Sequence, residues 1–273
     1  MKRFALLLCL FCLLSMPVQS QAAQAELMLA TTTSTDNTGL LDYLMPEFTK
    51  DTGIKIKWVA VGTGKALKMG QNCDVDVLLV HAPPTEKKYV ADGYGVDRRQ
   101  IMYNDFVIIG PDNDPCGIKG MTVADALKAV ESKQCVFVSR GDNSGTHKKE
   151  LKLWAAAGLP VPDKAEWYVQ TGQGMLSTIN VAAERKGYTM TDRGTYSKFE
   201  ANKKGNPPLV IVVEGDKNLL NQYSVIAVNP DRCKNAKYDL ATSFSEWMAS
   251  ARAQKLIKDF KLLGKQLFTP NAQ

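Results

Sequence analysis

Ser139-Arg140-Gly141-Asp142-Asn143-Ser144-Gly145-Thr146-His147-Lys148-Lys149-Glu150 follows the apolar run 135–138 and precedes a run carrying Leu151, Leu153 and Trp154. The first run reads as a buried strand and the second as an amphipathic helix. Strand, Gly-rich polar loop and helix in that order aim backbone N–H groups and the positive end of a helix at one point, which favours an anion. Arg140 adds a permanent cationic fork, and Ser144 and Thr146 add hydroxyl donors. Any strand-to-helix turn uses Gly, Asp, Asn and Ser, and Ser144 or Thr146 can serve simply as a helix cap. The stretch gains weight from others of the same character elsewhere in the chain.

Residues 26–30 read as a short strand, followed by Thr31-Thr32-Thr33-Ser34-Thr35-Asp36-Asn37-Thr38-Gly39 and then by the helical pattern Leu40, Leu41, Leu44, Phe48, which Pro46 is expected to kink or restart. A strand over 54–59 leads into Val61-Gly62-Thr63-Gly64-Lys65. That loop departs from the phosphate-binding Walker pattern at Val59 and at Ala66, so it remains a donor loop with Thr63 in it. Thr171-Gly172-Gln173-Gly174-Met175-Leu176-Ser177 follows a strand at 167–170 and has Ser177 where a dinucleotide fingerprint needs its third glycine. Further strands are expected at 75–80, 106–109, 187–191, 209–213 and 223–228, with Asp192-Arg193-Gly194-Thr195 as a turn. Thr122 caps a helix, and two helices end the chain on the faces Leu240, Phe244, Trp247, Met248 and Leu256, Ile257, Phe260. Strands alternating with helices predict an α/β architecture with mostly parallel sheets and ligands at the carboxyl ends of the strands. His81, at the end of the strand 75–80, reads as a structural residue hydrogen-bonded at a strand terminus.

Residues 1–25 have the pattern of an export signal: Lys2 and Arg3, an apolar core over 4–16, and the small-residue site Ala23-Gln24-Ala25. That core is too short to span a bilayer, and no later run reaches the ~20 apolar residues a membrane helix needs. An exported, non-membrane-spanning protein of about 250 residues is expected, large enough for one large domain or two ordinary ones. Without Lys2 and Arg3, 32 basic residues face 28 acidic ones, a charge of +4. A mild excess without a basic stripe suits an anionic ligand and gives no sign of nucleic-acid binding. Cys73, Cys116, Cys135 and Cys233 remain after signal removal. In an oxidising compartment they suggest two disulfides, with reduced buried thiols as the alternative; their spacing and the scarcity of histidine argue against a metal site.

Leu29-Ala30-Thr31-Thr32-Thr33-Ser34, Gly62-Thr63-Gly64-Lys65-Ala66-Leu67, Met102-Tyr103-Asn104-Asp105-Phe106-Val107, residues 139–150, Gly172-Gln173-Gly174-Met175 and Asp192-Arg193-Gly194-Thr195 together resemble the periplasmic tungstate-binding components of bacterial ABC importers. The resemblance covers nearly the whole mature chain. It implies a type II periplasmic binding fold: two α/β lobes, mixed and mostly parallel sheets, and two hinge crossings, near Asp105 and near Asn221. Lobe 1 would be 26–105 plus 222–273, and lobe 2 would be 106–221. By position, the oxyanion would be held by Thr33, Ser34, Thr63, Arg140, Ser144, Gly145, Thr146 and Met175, without cofactor or protein-bound metal. The implied ligand is tungstate, with molybdate, phosphate or sulfate as alternatives. The implied partners are a membrane permease and its cytoplasmic ATPase, and a monomer is expected. With those lobes, Cys116 pairs with Cys135 and Cys73 with Cys233, each bridge staying inside one lobe.

A tetrahedral oxyanion that carries no proton only accepts hydrogen bonds, so its site needs donors and no obligatory acceptor. Asp142 then has two readings: it braces Arg140 or the loop backbone, or it accepts a proton from a protonated oxyanion. A secreted serine hydrolase is the alternative from another class, since Gly141-Asp142-Asn143-Ser144-Gly145 loosely matches a protease motif with His81 as a base. The interrupting Asn143 and the α/β pattern oppose it.

Overall fold

The computed structural model describes residues 24–272, so the expected export signal lies almost wholly outside the described residues. Strand β1 (Glu26–Thr32) leads through the single turn α1 (Thr33–Asp36) to α2 (Leu40–Thr52). β2 (Lys55–Val61) leads to α3 (Thr63–Gln71), and β3 (Val77–Val80) to α4 (Pro83–Ala91). β1 lies between β2 and β3 and is parallel to both. The 16-residue β4 (Gly95–Gly110) follows. Then come α5 (Val123–Lys133), β5 (Phe137–Ser139), α6 (Gly145–Ala156), β6 (Tyr168–Gln170), α7 (Met175–Glu184), β7 (Thr189–Asp192), α8 (Arg193–Asn202) and β8 (Val210–Val213). β9 (Leu220–Val228) returns beside β4, and α9 (Tyr238–Ala249), α10 (Ala251–Asp259), β10 (Lys261–Leu262), β11 (Lys265–Gln266) and β12 (Thr269–Pro270) close the chain. No helix among the described residues is long and apolar enough to cross a membrane.

Alternation along each strand divides the core. In β3, Val77 and Leu79 join a cluster with Leu44, Phe48, Phe244 and Ile257 of α2, α9 and α10, whereas Leu78 and Val80 join Leu67 and Tyr89 of α3 and α4. The period-2 geometry of a strand sends neighbours to opposite faces, so both faces of this sheet are covered. In β4 the same alternation sends Phe106 and Ile108 to Phe137, Leu127 and Trp154, and Val107 and Ile109 to Ile179 and Phe199. The buried residues of the first two clusters lie between 27 and 102 and between 223 and 268; those of the second two lie between 106 and 219. These are the two lobes of the expected fold class, and β4 carries residues of both.

Pairing departs from the expected balance: among the described residues six strand pairings are antiparallel and three parallel. The parallel ones join strands linked by helical crossovers. β9 must return where β4 goes out, so it runs antiparallel to β4 and to β3. Three local readings also change. Pro46 lies inside α2, which continues through it rather than restarting, and the buried Leu44, Met45 and Phe48 offset the hydrogen bond that proline removes. Thr31 and Thr32 extend β1, because each hydroxyl finds a partner: Thr31 donates to Leu79 O at 2.9 Å, and Thr32 caps α1. Residues 193–195 open α8 rather than a turn, with the Asp192 side chain accepting from Thr195 N.

Both expected cystine pairs are present. Cys73–Cys233 joins residues 160 apart and Cys116–Cys135 residues 19 apart. One more buried group shapes the loop after β5. Glu150 of α6 is 3% exposed and accepts from Tyr168 Oη (2.6 Å), Ser139 Oγ (2.7 Å) and Trp154 Nε1 (3.3 Å). Ser139 Oγ in turn accepts from Gly141 N at 3.2 Å, so one carboxylate ties β5, β6, α6 and the loop together. Burial pushes its pKa above the ordinary carboxylate value, and the three donors oppose that without reversing it.

Two outcomes follow for stability. In the chain-entropy limit, replacing both cysteines of 73–233 with serine should cost ~5 kcal/mol and of 116–135 ~3 kcal/mol, the ordering being read by urea denaturation. Glu150→Ala leaves three buried donors unpaired and should cost ~3 kcal/mol or more, whereas Glu150→Gln, which keeps an acceptor, should cost less than half of that. Because the folded-state pKa is raised, the wild-type contribution is full below pH ~4.5 and declines as pH rises through the folded-state value; Glu150→Gln should remove that slope.

Candidate functional site

A cavity of about 600 Å³ lies where five helices begin. Each of those helices follows the carboxyl end of a strand: α1 after β1, α3 after β2, α6 after β5, α7 after β6 and α8 after β7. Thr33 and Ser34 come from α1, Thr63 from α3, Arg140 and Ser144 from the loop before α6, Gly145 and Thr146 from α6 itself, and Met175 from α7. All eight nominated residues therefore line one cavity.

The first N–H groups of a helix have no intrahelical acceptor, and the helix dipole makes that end positive. At α3 and α7 the capping residues are Gly62 and Gly174, which supply no side-chain acceptor, so those N–H groups stay open to the cavity. At α6, Ser144 Oγ accepts only from His147 N (3.3 Å), leaving Gly145 and Thr146 N–H at the cavity wall. Among the described residues the hydroxyls of Thr33, Thr63 and Thr146 make no hydrogen bond within the protein. Gly141 allows the loop to turn: its φ is +60°, and a Cβ there would stand 2.8 Å from the Gln170 side chain.

Arg140 is the guanidinium aimed at this space. Its Nη2 donates to Asp142 Oδ2 at 2.5 Å, while its buried Nε has no partner. Asp142 Oδ1 accepts from Ser144 N at 3.1 Å, so both of its oxygens are engaged, one on Arg140 and one on the loop. Burial opposes its charge, but hydrogen bonds from Ser144 and the nearby Arg140 outweigh it and hold the Asp142 carboxyl below the ordinary range. Asp192 also lines the cavity, and its two oxygens are taken by Thr195 N (2.9 Å) and Thr195 Oγ1 (2.6 Å). Arg193 is committed elsewhere, bidentate to Asp105 and bonded to Glu214. The site thus presents donors and one forked cation, with its carboxylates already bonded. Among the described residues no cluster of His, Cys, Asp and Glu can hold a metal ion.

Of the cavity residues outside the expected set, Lys198 and His81 bear on the site's chemistry. Lys198 of α8 reaches the cavity, and its ammonium donates to the Asn37 carbonyl of the opposite lobe. Reading 192–195 as a turn hid it; on a helix, Gly194 and Lys198 share a face at i, i+4. His81 follows β3, and its place at a strand's carboxyl end was the available signal. Its Nε2 lies 2.9 Å from Thr32 Oγ1 and 3.1 Å from Ser34 Oγ, and its Nδ1 lies 3.0 Å from Asn221 Oδ1. It is hydrogen-bonded at a strand end as expected, but it also forms part of the cavity wall. The Ser144–His81 pairing that a hydrolase would require is not formed.

The chain matches the PBP superfamily domain over residues 17–252. It is 52% identical over 240 residues to the tungstate-binding protein TupA of Campylobacter jejuni, covering 88% of this chain and 89% of that one. Among solved structures, the tungstate-binding protein TupA from Desulfovibrio alaskensis is 68% identical with a TM-score of 0.89, covering 91% of this chain and 100% of that one. The structure described as the tungstate ABC transporter from Geobacter sulfurreducens is 50% identical with a TM-score of 0.75, covering 86% of this chain and 98% of that one. With these identities spanning nearly the whole chain, the protein belongs to the TupA-type periplasmic binding proteins of the PBP superfamily.

Proposed function

We propose that this protein is the exported substrate-binding component of an ABC importer, capturing tungstate between lobe 1 (26–105 plus 222–273) and lobe 2 (106–221). The observation that carries this reading is the convergence of five helix N-termini and Arg140 on one cavity whose carboxylates, including the neighbouring Asp142, are already occupied. Thr33, Ser34, Thr63, Ser144 and Thr146 offer hydroxyls, Gly145, Thr146 and Met175 offer N–H groups, and Arg140 offers charge-assisted bonds. It is a binding protein, not an enzyme. Cleavage of the export signal near Ala25, a monomeric state, and delivery to a permease driven by a cytoplasmic ATPase complete the proposal.

The occupied carboxylates bear on ligand choice. A protonated oxyanion such as phosphate at neutral pH needs an acceptor for its proton; each oxygen of Asp142 and Asp192 already accepts from one protein donor, so such a ligand would have to share those oxygens with the donors that hold the loops. Proton-free dianions are favoured: tungstate first, by kinship with the relatives above, then molybdate and sulfate. Calorimetric titration with tungstate, molybdate, sulfate and phosphate ranks them. Phosphate binding as tightly as tungstate, or no oxyanion binding, would overturn this assignment.

Tungstate should raise the melting temperature and compact the protein in small-angle scattering. At a ligand concentration 100 times Kd the stabilisation is about 2.7 kcal/mol. Arg140 should dominate affinity among single side chains. Arg140→Lys loses the planar fork and should weaken tungstate binding measurably. Arg140→Gln should lose about 2 to 5 kcal/mol, as when one side of a desolvated charge pair is removed, and Arg140→Glu should abolish binding. Near-native affinity in a folded Arg140→Gln protein, checked by circular dichroism, would make Arg140 a brace for Asp142 alone.

A further inference from the structure

The geometry points to His81 as a proton-responsive positioning residue. Neutral, its ring takes a hydroxyl hydrogen from the Thr32–Ser34 pair; charged, it donates a ring hydrogen to that pair and releases the hydroxyl hydrogen to the bound anion. This rests on the oxyanion-binding reading of the same cavity and adds a coupled proton to it.

The hydrogen-bond directions are set from behind the ring. Asn221 Nδ2 donates to Asn104 Oδ1 (2.8 Å) and lies 3.2 Å from Tyr223 Oη, which turns Asn221 Oδ1 toward His81 Nδ1 at 3.0 Å. A carbonyl oxygen only accepts, so Nδ1 carries the hydrogen, and Nε2 of the neutral ring holds a lone pair. That lone pair faces two hydroxyls, Thr32 Oγ1 at 2.9 Å and Ser34 Oγ at 3.1 Å, which are also 3.1 Å from each other. One of the two must give its hydrogen to the ring. Thr32 Oγ1 also lies 2.7 Å from Thr35 Oγ1; with Thr32 donating there, Ser34 is the hydroxyl that serves the ring, and an anion beside Ser34 competes for that hydrogen. A proton taken from solvent onto Nε2 resolves the competition: the ring becomes the donor, the hydroxyl oxygen accepts, and the hydroxyl hydrogen turns to the anion.

The surroundings set the sense of the response. Burial disfavours the charged ring and lowers its pKa below the ordinary value, opposed by the Asn221 bond and by the charge of Asp192 at the end of β7. Tyr223 of β9 packs against the ring at a 31° tilt with centroids 4.7 Å apart, and Arg140 and Lys198 share the cavity. Without ligand, burial keeps the ring neutral. A dianion in the cavity adds opposite charge and raises the ring's pKa. By reciprocity, protonation tightens anion binding by the same factor. Asn104 and Asn221 face each other on β4 and β9, so the ring reads the cavity from the strands that run between the lobes.

Isothermal titration calorimetry with tungstate at pH 6.5, in buffers of different ionisation enthalpy, should register net uptake of a fraction of a proton. Affinity should weaken as pH rises from below the free ring's pKa to above the bound ring's, by a total factor of about ten for each unit by which binding raises that pKa. His81→Gln keeps an acceptor for the hydroxyls but cannot titrate, so uptake should vanish and the affinity should lose its pH dependence. The chain has only two histidines, so nitrogen-15 NMR of the His147→Gln protein observes the His81 ring alone. It should report Nδ1 protonated without ligand and a rise in Nε2 protonation in the tungstate complex at pH 6.5. An unliganded ring protonated on Nε2, binding without proton uptake, or uptake that survives His81→Gln would each overturn the inference while leaving the binding function standing. A wild-type protein that binds no oxyanion would overturn both.

Discussion

Helix N-termini repel one another, since each carries a partial positive charge, so five of them around one cavity is an arrangement the fold has to impose. It does so through connectivity. α1, α3, α6, α7 and α8 each begin directly at, or a few residues beyond, the carboxyl end of a strand, and those strand ends converge because β4 and β9 run antiparallel between the two cores. The unsatisfied positive potential is an electrostatic cost to the empty protein and a gain when an anion arrives. The same constraint explains why so little side-chain charge is needed there: two cations, Arg140 and Lys198, line the cavity, and the rest is hydroxyls and backbone.

Carboxylates near an anion site are a second constraint. Asp142 and Asp192 are tolerated because both oxygens of each are bonded within the protein, Asp142 with Arg140 and Ser144 N, and Asp192 with the N–H and hydroxyl of Thr195. Their negative charge serves the loops that present the donors. Glu150 does the same one layer deeper, where its pKa is pushed up by burial and it holds Ser139 and, through it, Gly141.

Much of this was legible in the residues themselves. The repeated order of strand, donor loop and helix identified the α/β class, and the family resemblance put eight residues into one cavity, where the structure also has them. What was missed has local causes. β4 begins at Gly95, eleven residues before the apolar segment that reads as a strand, because Asp97, Arg98, Arg99 and Gln100 give that half no apolar run. Asp192 and Gly194 are turn-forming residues, so the sequence of 192–195 reads as a turn and hides both the start of α8 and Lys198. His81 shows a different limit: its partners Thr32, Ser34 and Asn221 come from three distant segments, so nothing adjacent in the sequence hints at the contact.

The division of the core has a consequence for how the protein matures. One pair of clusters is built only from residues between 106 and 219, whereas the other needs residues from both sides of that block, up to Phe268. A chain that crosses a membrane from its N-terminus delivers the inner block complete while the outer core still lacks α9 and α10. The Cys116–Cys135 bridge closes within the early block, and Cys233, which must find Cys73 across 160 residues, arrives late. Of the eight expected ligand residues that line the cavity, five lie in the inner block and three in the outer, so the cavity is incomplete until the outer core closes.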